Sequence, residues 1–177
     1  MSGHSKWSTI KHKKAANDAV KGSVFTKMAK AITIAVKKGG GVGDPEINFS
    51  LRLAVDKARS VNMPKENIDR AIAKGLGKGG DELVELIIEG FGPEGVAVII
   101  IAISDNRNRT VAEIRTLMEK YGGRMGEMGC VGYMFEIKGG QYIPKYSVSV
   151  NDLGCVENFL RAMREYEDVQ EIYANLG

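Results

Sequence analysis

Apolar positions recur at helical spacing over the first eighty residues and alternate between strand and helical spacing over the rest. Phe25, Met28, Ala29, Ile32 and Val36 stand at offsets 0, 3, 4, 7 and 11, one stripe of a helix from about Lys13 to Lys38, with lysines 27, 30, 37 and 38 mostly off it. Gly39-Gly40-Gly41 ends that helix, because glycine takes the left-handed C-terminal conformation cheaply. Asp44-Pro45 reads as a second helix start, with Leu51, Val55 and Ala58 inward and Arg52, Lys57 and Arg59 outward. Pro64 opens a third, in which Ile68, Ala71 and Ile72 face inward. The Val61 to Met63 turn permits a helix-turn-helix. The first turns of its reading helix would nevertheless mix Glu66 and Asp69 with Lys65, Asn67 and Arg70, a poor surface for reading bases.

From Leu83 the period changes. Leu83 to Glu89 and Val96 to Ile103 are rich in β-branched residues and are joined by Gly90-Phe91-Gly92-Pro93-Glu94-Gly95, which predicts a hairpin. The second strand lacks polar residues and should sit centrally in its sheet. A polar loop, Ser104 to Thr110, leads to a helix with Val111, Ile114, Leu117, Met118 and Tyr121 on one side. Asn108 is a candidate N-cap, and Thr110 with Glu113 has capping-box spacing. Gly122-Gly123 stops this helix. The next loop, with Gly126, Gly129 and Gly132 interleaved with Met125 and Met128, is expected to be mobile or closely approached by another backbone. Val131 to Ile137 reads as a third strand, and Tyr142 to Val150 as an extended stretch that Pro144 marks as an edge. A helix from Val156 to Tyr166 and a strand from Val169 to Ala174 follow. The order predicts an α+β chain: an N-terminal three-helix domain over 1–76, a linker at 77–82 and a ferredoxin-like α+β sandwich over 83–177.

Charge divides the chain at the same place. Residues 1–80 carry 16 Lys+Arg against 6 Asp+Glu, and residues 81–177 carry 9 against 16. Such polarity favours a nucleic-acid-facing half and an acidic half that acts as scaffold or meets a protein partner. The first 38 residues hold nine lysines and one carboxylate, Asp18. Lysines neutralise phosphates, while Trp7, His4 and His12 could stack on exposed bases; a solvated basic tail is the alternative. Lys6, Lys11, Lys13 and Lys14 cluster ahead of the helix, and Lys21 and Lys27 continue the charge into it. Cys130 and Cys155 have neither Cys-x-x-Cys spacing nor a histidine neighbour, which argues against a disulfide framework or a zinc site and for reduced thiols in the cytoplasm. The longest apolar run, Val96 to Ile103, is eight residues, too short to cross a membrane, and no apolar segment of a secretory signal follows the basic start.

Other motifs carry less. Residues 75–80, GLGKGG, match Gly-x-Gly-x-x-Gly but follow a helix and precede a strand, the reverse of a dinucleotide-binding context, so a linker and no cofactor is expected. Arg107 and Arg109 flank Asn108 at a helix start, where guanidinium groups and free N–H donors could hold a phosphate. Simple capping by Asn106 and Asn108 explains the same residues. No Ser-His-Asp, Cys-His or paired-carboxylate arrangement can be assembled, and the basic domain lacks metal-holding carboxylates, so no catalytic residue is expected.

GHSKW near the start, IKHKKAANDAVKGSVFTK, NMPKENIDRAI, EGFGPEGVAVII and SDNRNRTVAEIR together resemble the YebC/PmpR family, to which the mitochondrial translational activator of cytochrome c oxidase also belongs. The likeness runs from Met1 to about Phe135 and resumes in ENFLRAMREYEDVQEIYANL. Family members usually insert a third α+β domain where this chain has only Lys138 to Asn151, so it looks like a short member lacking that lobe around 138–151. The resemblance implies one of two functions: a ribosome-binding translation factor that relieves stalling, or a DNA-binding transcriptional regulator. Charge in a lysine-rich segment rather than in a base-reading helix, and the lack of a dimer-defining heptad to give half-site spacing, favour ribosomal RNA; a monomer is expected. By resemblance His4, Lys6, Trp7, Lys11, His12, Lys13 and Lys14 form the main RNA-contacting block, with Arg107 and Arg109 as a second, weaker one.

Overall fold

Three helices form where the apolar stripes fall. The computed structural model describes residues 3–80 and 82–177, with side chains described at 21–80 and 82–177. The chain divides into two units, Met1–Gly80 and Asp81–Gly177. In the first, α1 spans Gly3–Lys38, α2 Phe49–Ser60 and α3 Lys65–Gly75. Instead of a basic tail followed by a helix from about Lys13, α1 is continuous from Gly3. Within it Gly22 is the one interior glycine and there is no proline, so nothing strong enough to break the helix occurs. Its packed residues Phe25, Met28, Ala29, Ile32, Ala35 and Val36 meet Leu51, Val55 and Ala58 of α2 and Ile68 and Ala71 of α3. Gly75 permits a close crossing of α3 over α1: a Cβ there would lie 2.6 Å from Val36 Cβ and 2.9 Å from the Thr33 carbonyl oxygen. At the same crossing the buried Thr33 hydroxyl donates to the Ala71 carbonyl at 3.0 Å.

The second helix begins later than Asp44-Pro45 suggests. Asp44 to Ile47 form a turn, and Asn48 is the cap: its side-chain oxygen accepts from Leu51 N at 3.0 Å, while its Nδ2 donates to the carbonyls of Ala35 and Val42 at 3.1 and 3.0 Å. The residue that satisfies buried donors and acceptors at once determines the start. Asn62, at φ 59°, makes the left-handed turn into α3.

In the second unit, β1 spans Val84–Phe91, β2 Ala97–Ser104, α4 Arg107–Lys120, β3 Arg124–Met125, β4 Phe135–Lys138, β5 Gln141–Pro144, α5 Leu153–Glu165 and β6 Val169–Ala174. The main sheet is antiparallel throughout, in the order β3-β1-β2-β6, which leaves the apolar β2 inside as its composition requires. One face, with Leu86, Ile88, Val98, Ile100 and Ala102, packs on Ile114 and Met118 of α4 and Val156, Phe159, Leu160 and Met163 of α5. The unit is therefore an α+β sandwich with two helices on one face. The opposite face, at Ala97 and Ile99, is covered by Val131 and Phe135.

Three strand assignments differ from the sequence expectation. Residues Gly132–Met134 form a 3-10 turn, and the strand begins only at Phe135. That strand pairs with β5 as a separate ribbon; β5 ends at Pro144, and within the rest of the extended stretch expected to Val150 it is Val148 that pairs, in a parallel bridge with Leu176. The third strand of the main sheet is instead the two residues Arg124 and Met125, inside the glycine-rich loop. Small residues make this pairing possible, since a Cβ on Gly90 would lie 2.4 Å from the Arg124 carbonyl oxygen. The loop is thus closely approached by another backbone. Glu89, 9% exposed, holds it: the carboxylate accepts from Gly129 N at 2.9 Å and from Val131 N and Gly132 N at 2.8 Å each. A second carboxylate, Glu94 in the β1–β2 turn, accepts from Asn151 N and Asp152 N at 2.6 and 2.7 Å and ties the turn to the start of α5. Among the described residues no helix is long and apolar enough to cross a membrane.

Candidate nucleic-acid interface

The nine lysines of the first 38 residues all fall within α1, a helix of about 50 Å at 1.5 Å per residue. A helix displays these charges on a rigid rod, whereas a tail would spread them over many conformations. The side chains of His4, Lys6, Trp7, Lys11, His12, Lys13 and Lys14 lie outside the described residues. Of the two remaining α1 candidates, Lys21 is exposed and Lys27 is half-buried. Lys37 and Lys38 are exposed in the last turn, where cations also complement the carbonyl end of the helix dipole.

Arg107 and Arg109 stand on the first turn of α4 but have different surroundings. The N-cap is Asn106 rather than Asn108, with its side-chain oxygen accepting from Arg109 N at 3.1 Å. Asn106 N in turn donates to Ser104 Oγ at 2.9 Å. Arg109 Nη2 donates to Asp105 Oδ1 at 2.8 Å and lies 3.6 Å from Oδ2 of Asp168, a carboxylate only 2% exposed. The Thr110 hydroxyl bonds that same Asp168 oxygen and lies 2.6 Å from Ser104 Oγ. The hydrogen bond to Asp105, helped by the charges of Asp105, Asp168 and Glu113, holds the Arg109 guanidinium above its ordinary pKa. Arg109 therefore counters two carboxylates of its own unit, one of them buried, and joins the start of α4 to the start of β6. Arg107 is exposed on the same turn and has the freer geometry for an external phosphate. No local pattern marks Asp168 as part of this cluster, because its partners lie 58 and 59 residues earlier in the chain. An acid placed directly before the apolar start of a strand is the one signal of it that the sequence offers.

Residues 76–80 lie between α3 and β1, and Gly77, Gly79 and Gly80 adopt left-handed φ. Among the described residues no group of three or more His, Cys, Asp or Glu is placed to hold a metal ion. Cys130 is half-buried, and burial together with the nearby Glu89 charge pushes its thiol pKa up, away from the reactive thiolate; Cys155 is exposed on α5.

Two family models match the chain: the TACO1/YebC protein N-terminal domain over residues 5–78, and the TACO1/YebC second and third domain over residues 83–153. A probable transcriptional regulatory protein of Chlorobaculum parvum is 53% identical over 175 residues, covering 98% of this chain and 68% of the relative. Its counterpart in Desulfitobacterium hafniense is 51% identical over 161 residues, covering 90% and 61%. That of Geobacter sulfurreducens is 59% identical over 140 residues, covering 78% and 56%. The chain thus spans between 56 and 68% of the length of these relatives. The crystal structure of a conserved hypothetical protein from Aquifex aeolicus superposes with a TM-score of 0.81 at 31% identity, covering 90% of this chain and 91% of that one. With matching models on both units and relatives more than half identical, the chain belongs to the TACO1/YebC, or YebC/PmpR, family.

Proposed function

We propose that this protein is a non-enzymatic regulator of gene expression that binds nucleic acid through the lysine-rich helix α1. One observation carries the reading: nine lysines against one carboxylate lie on a single helix, in the unit that bears the chain's positive charge. A charged rod of this kind contacts phosphates, releases counterions and binds with strong salt dependence. The names of the relatives, probable transcriptional regulatory proteins, favour duplex DNA as the target and transcription as the regulated step. The acidic second unit then acts as scaffold or meets a protein partner.

Ribosomal RNA is the second reading, with the protein as a translation factor that relieves stalled ribosomes. It is favoured by α3, the helix in the position of a helix-turn-helix reader. Its exposed first turns mix Lys65 and Arg70 with Glu66 and Asp69, so backbone contact rather than base reading is the available mode. Co-sedimentation with purified ribosomes at two salt concentrations, with excess duplex DNA as competitor, separates the readings. Transfer of the protein to the duplex supports the transcriptional reading. Salt-sensitive ribosome binding that survives the duplex supports the translational one, and failure to bind either polymer at low salt overturns both. Charge reversal of Lys11, Lys13 and Lys14 should weaken binding and lower the salt slope by roughly 0.7 to 0.9 for each phosphate no longer neutralised.

A further inference from the structure

The β4–β5 ribbon and the segments flanking it leave two tyrosines exposed. Four of the chain's six tyrosines pack against cores: Tyr121 and Tyr166 on the helix side of the sheet, Tyr142 and Tyr173 on the other, where their rings lie 5.3 Å apart. Tyr133 and Tyr146 are the other two, and they are 64% and 50% exposed. They are neighbours through Lys145. Its amide donates to the Met134 carbonyl at 2.9 Å, carrying the pairing one rung past Phe135 and Pro144, and its Nζ donates to the Tyr133 carbonyl at 2.8 Å. One lysine thus links the two residues whose rings stand open.

The charge around them departs from the rest of the unit. Residues 122–151 carry three cations, Arg124, Lys138 and Lys145, against two carboxylates, Glu127 and Glu136, whereas the remainder of 81–177 carries six cations against 14 carboxylates. A polyanion is repelled less here than elsewhere on this unit. Exposed rings beside ammonium groups are what unpaired bases stack on, and stacking tolerates any base because every base has a π face.

We propose that Tyr133, Tyr146 and Lys145 form a second nucleic-acid contact, a stacking platform for unpaired bases of a single strand. The proposal rests on the reading of the chain as a nucleic-acid binder and adds to α1 a site that distinguishes unpaired from paired bases. An apolar protein partner would account for the exposed Ile137 and Ile143 of the ribbon, but not for two open tyrosines joined through the bonds of Lys145 to the backbone.

Fluorescence anisotropy of the full chain with a short labelled oligouridine, and with a duplex of the same length, tests the proposal. Y133L/Y146L should weaken single-strand binding by about tenfold or more, the effect of losing a base-stacking ring. Duplex binding and the salt slope should stay as they were, since every phosphate-binding lysine is kept. Y133F/Y146F should restore single-strand binding because the rings return. Both rings are exposed, so the melting temperature of each variant should match the parent, which checks folding. Wild-type binding with an unchanged affinity in Y133L/Y146L would overturn the platform and leave the regulator reading standing. Failure of the wild type to bind either polymer would overturn both.

Discussion

The two units differ in how far carboxylates take part in holding their backbone together. Among its described residues the basic unit buries neutral polar side chains only: Thr33 on the Ala71 carbonyl, and Asn48 on Ala35, Val42 and Leu51. The acidic unit also buries neutral Ser104, Thr110 and Asn175 but adds carboxylate anchors, of which Glu89 and Asp168 are buried and Glu94 is exposed. Glu89 takes three backbone amides of the glycine-rich loop, Glu94 takes two ahead of α5, and Asp168 holds Thr110 and Arg109. A carboxylate accepting several N–H bonds can reach loop backbone that no ladder satisfies, and charge-assisted bonds are the stronger kind. Part of the acidity of residues 81–177 is therefore structural, and the excess cannot be read as partner-binding surface alone. In the helical unit the described cations all remain outside the core.

Substitutions that remove an anchor from each unit sharpen that contrast, and the largest effect is expected at Glu89. Glu89→Ala leaves the amides of Gly129, Val131 and Gly132 without their acceptor, and should cost about 3 kcal/mol in urea unfolding. Hydrogen exchange at those three amides should accelerate; unchanged exchange would mean that the carboxylate is not what holds the loop. Asp168→Asn keeps the shape but removes the charge facing Arg109 and should cost about 2 kcal/mol. Urea unfolding checks this, and an unchanged midpoint would mean that the charge facing Arg109 does not stabilise the start of β6. In the helical unit Thr33→Val, nearly equal in volume, removes one neutral hydrogen bond and should cost about 1 kcal/mol with no pH dependence.

The smallest effect concerns Tyr166, at the C-cap of α5. Burial, then the hydrogen bond to Glu113 on α4, raise its phenol pKa above the ordinary 10.0. A raised folded-state pKa means that this contribution is complete below pH 10.0 and is lost as pH climbs toward the folded value. Thermal melts above pH 10.0 should show that decline, less steep in Tyr166→Phe, while near neutrality the substitution should cost below about 1 kcal/mol. An identical alkaline slope in the variant would assign the decline to other groups.

Legibility of the chain follows the range of the interactions involved. The helical stripes, the β1–β2 hairpin and β6 from Val169 to Ala174 are all readable, because period and turn chemistry are written within ten or so neighbouring residues. Local pattern puts the N-cap of α4 two residues late, at Asn108, because asparagines at 106 and 108 carry equal signals and contact with Ser104 favours the first. The two-residue strand Arg124–Met125 is not readable, since it exists only through pairing with Gly90 and Phe91, more than thirty residues earlier. In the candidate interface, the charge of α1 is evident from composition. The commitment of Arg109 to Asp168 is not.

The sequence by itself determined where the helices and the strands β1, β2 and β6 had the means to form, which unit carries positive charge and which family the motifs resemble. Periodicity, composition and short motifs are local properties and survive without a fold. Only the tertiary structure decided that Glu89, Glu94 and Asp168 are anchors, that Arg109 answers to a carboxylate 59 residues away, and that Lys145 links Tyr146 to Tyr133. The physical reason is that hydrogen bonds and ion pairs of a few ångströms depend on distance in space, which chain separation does not encode.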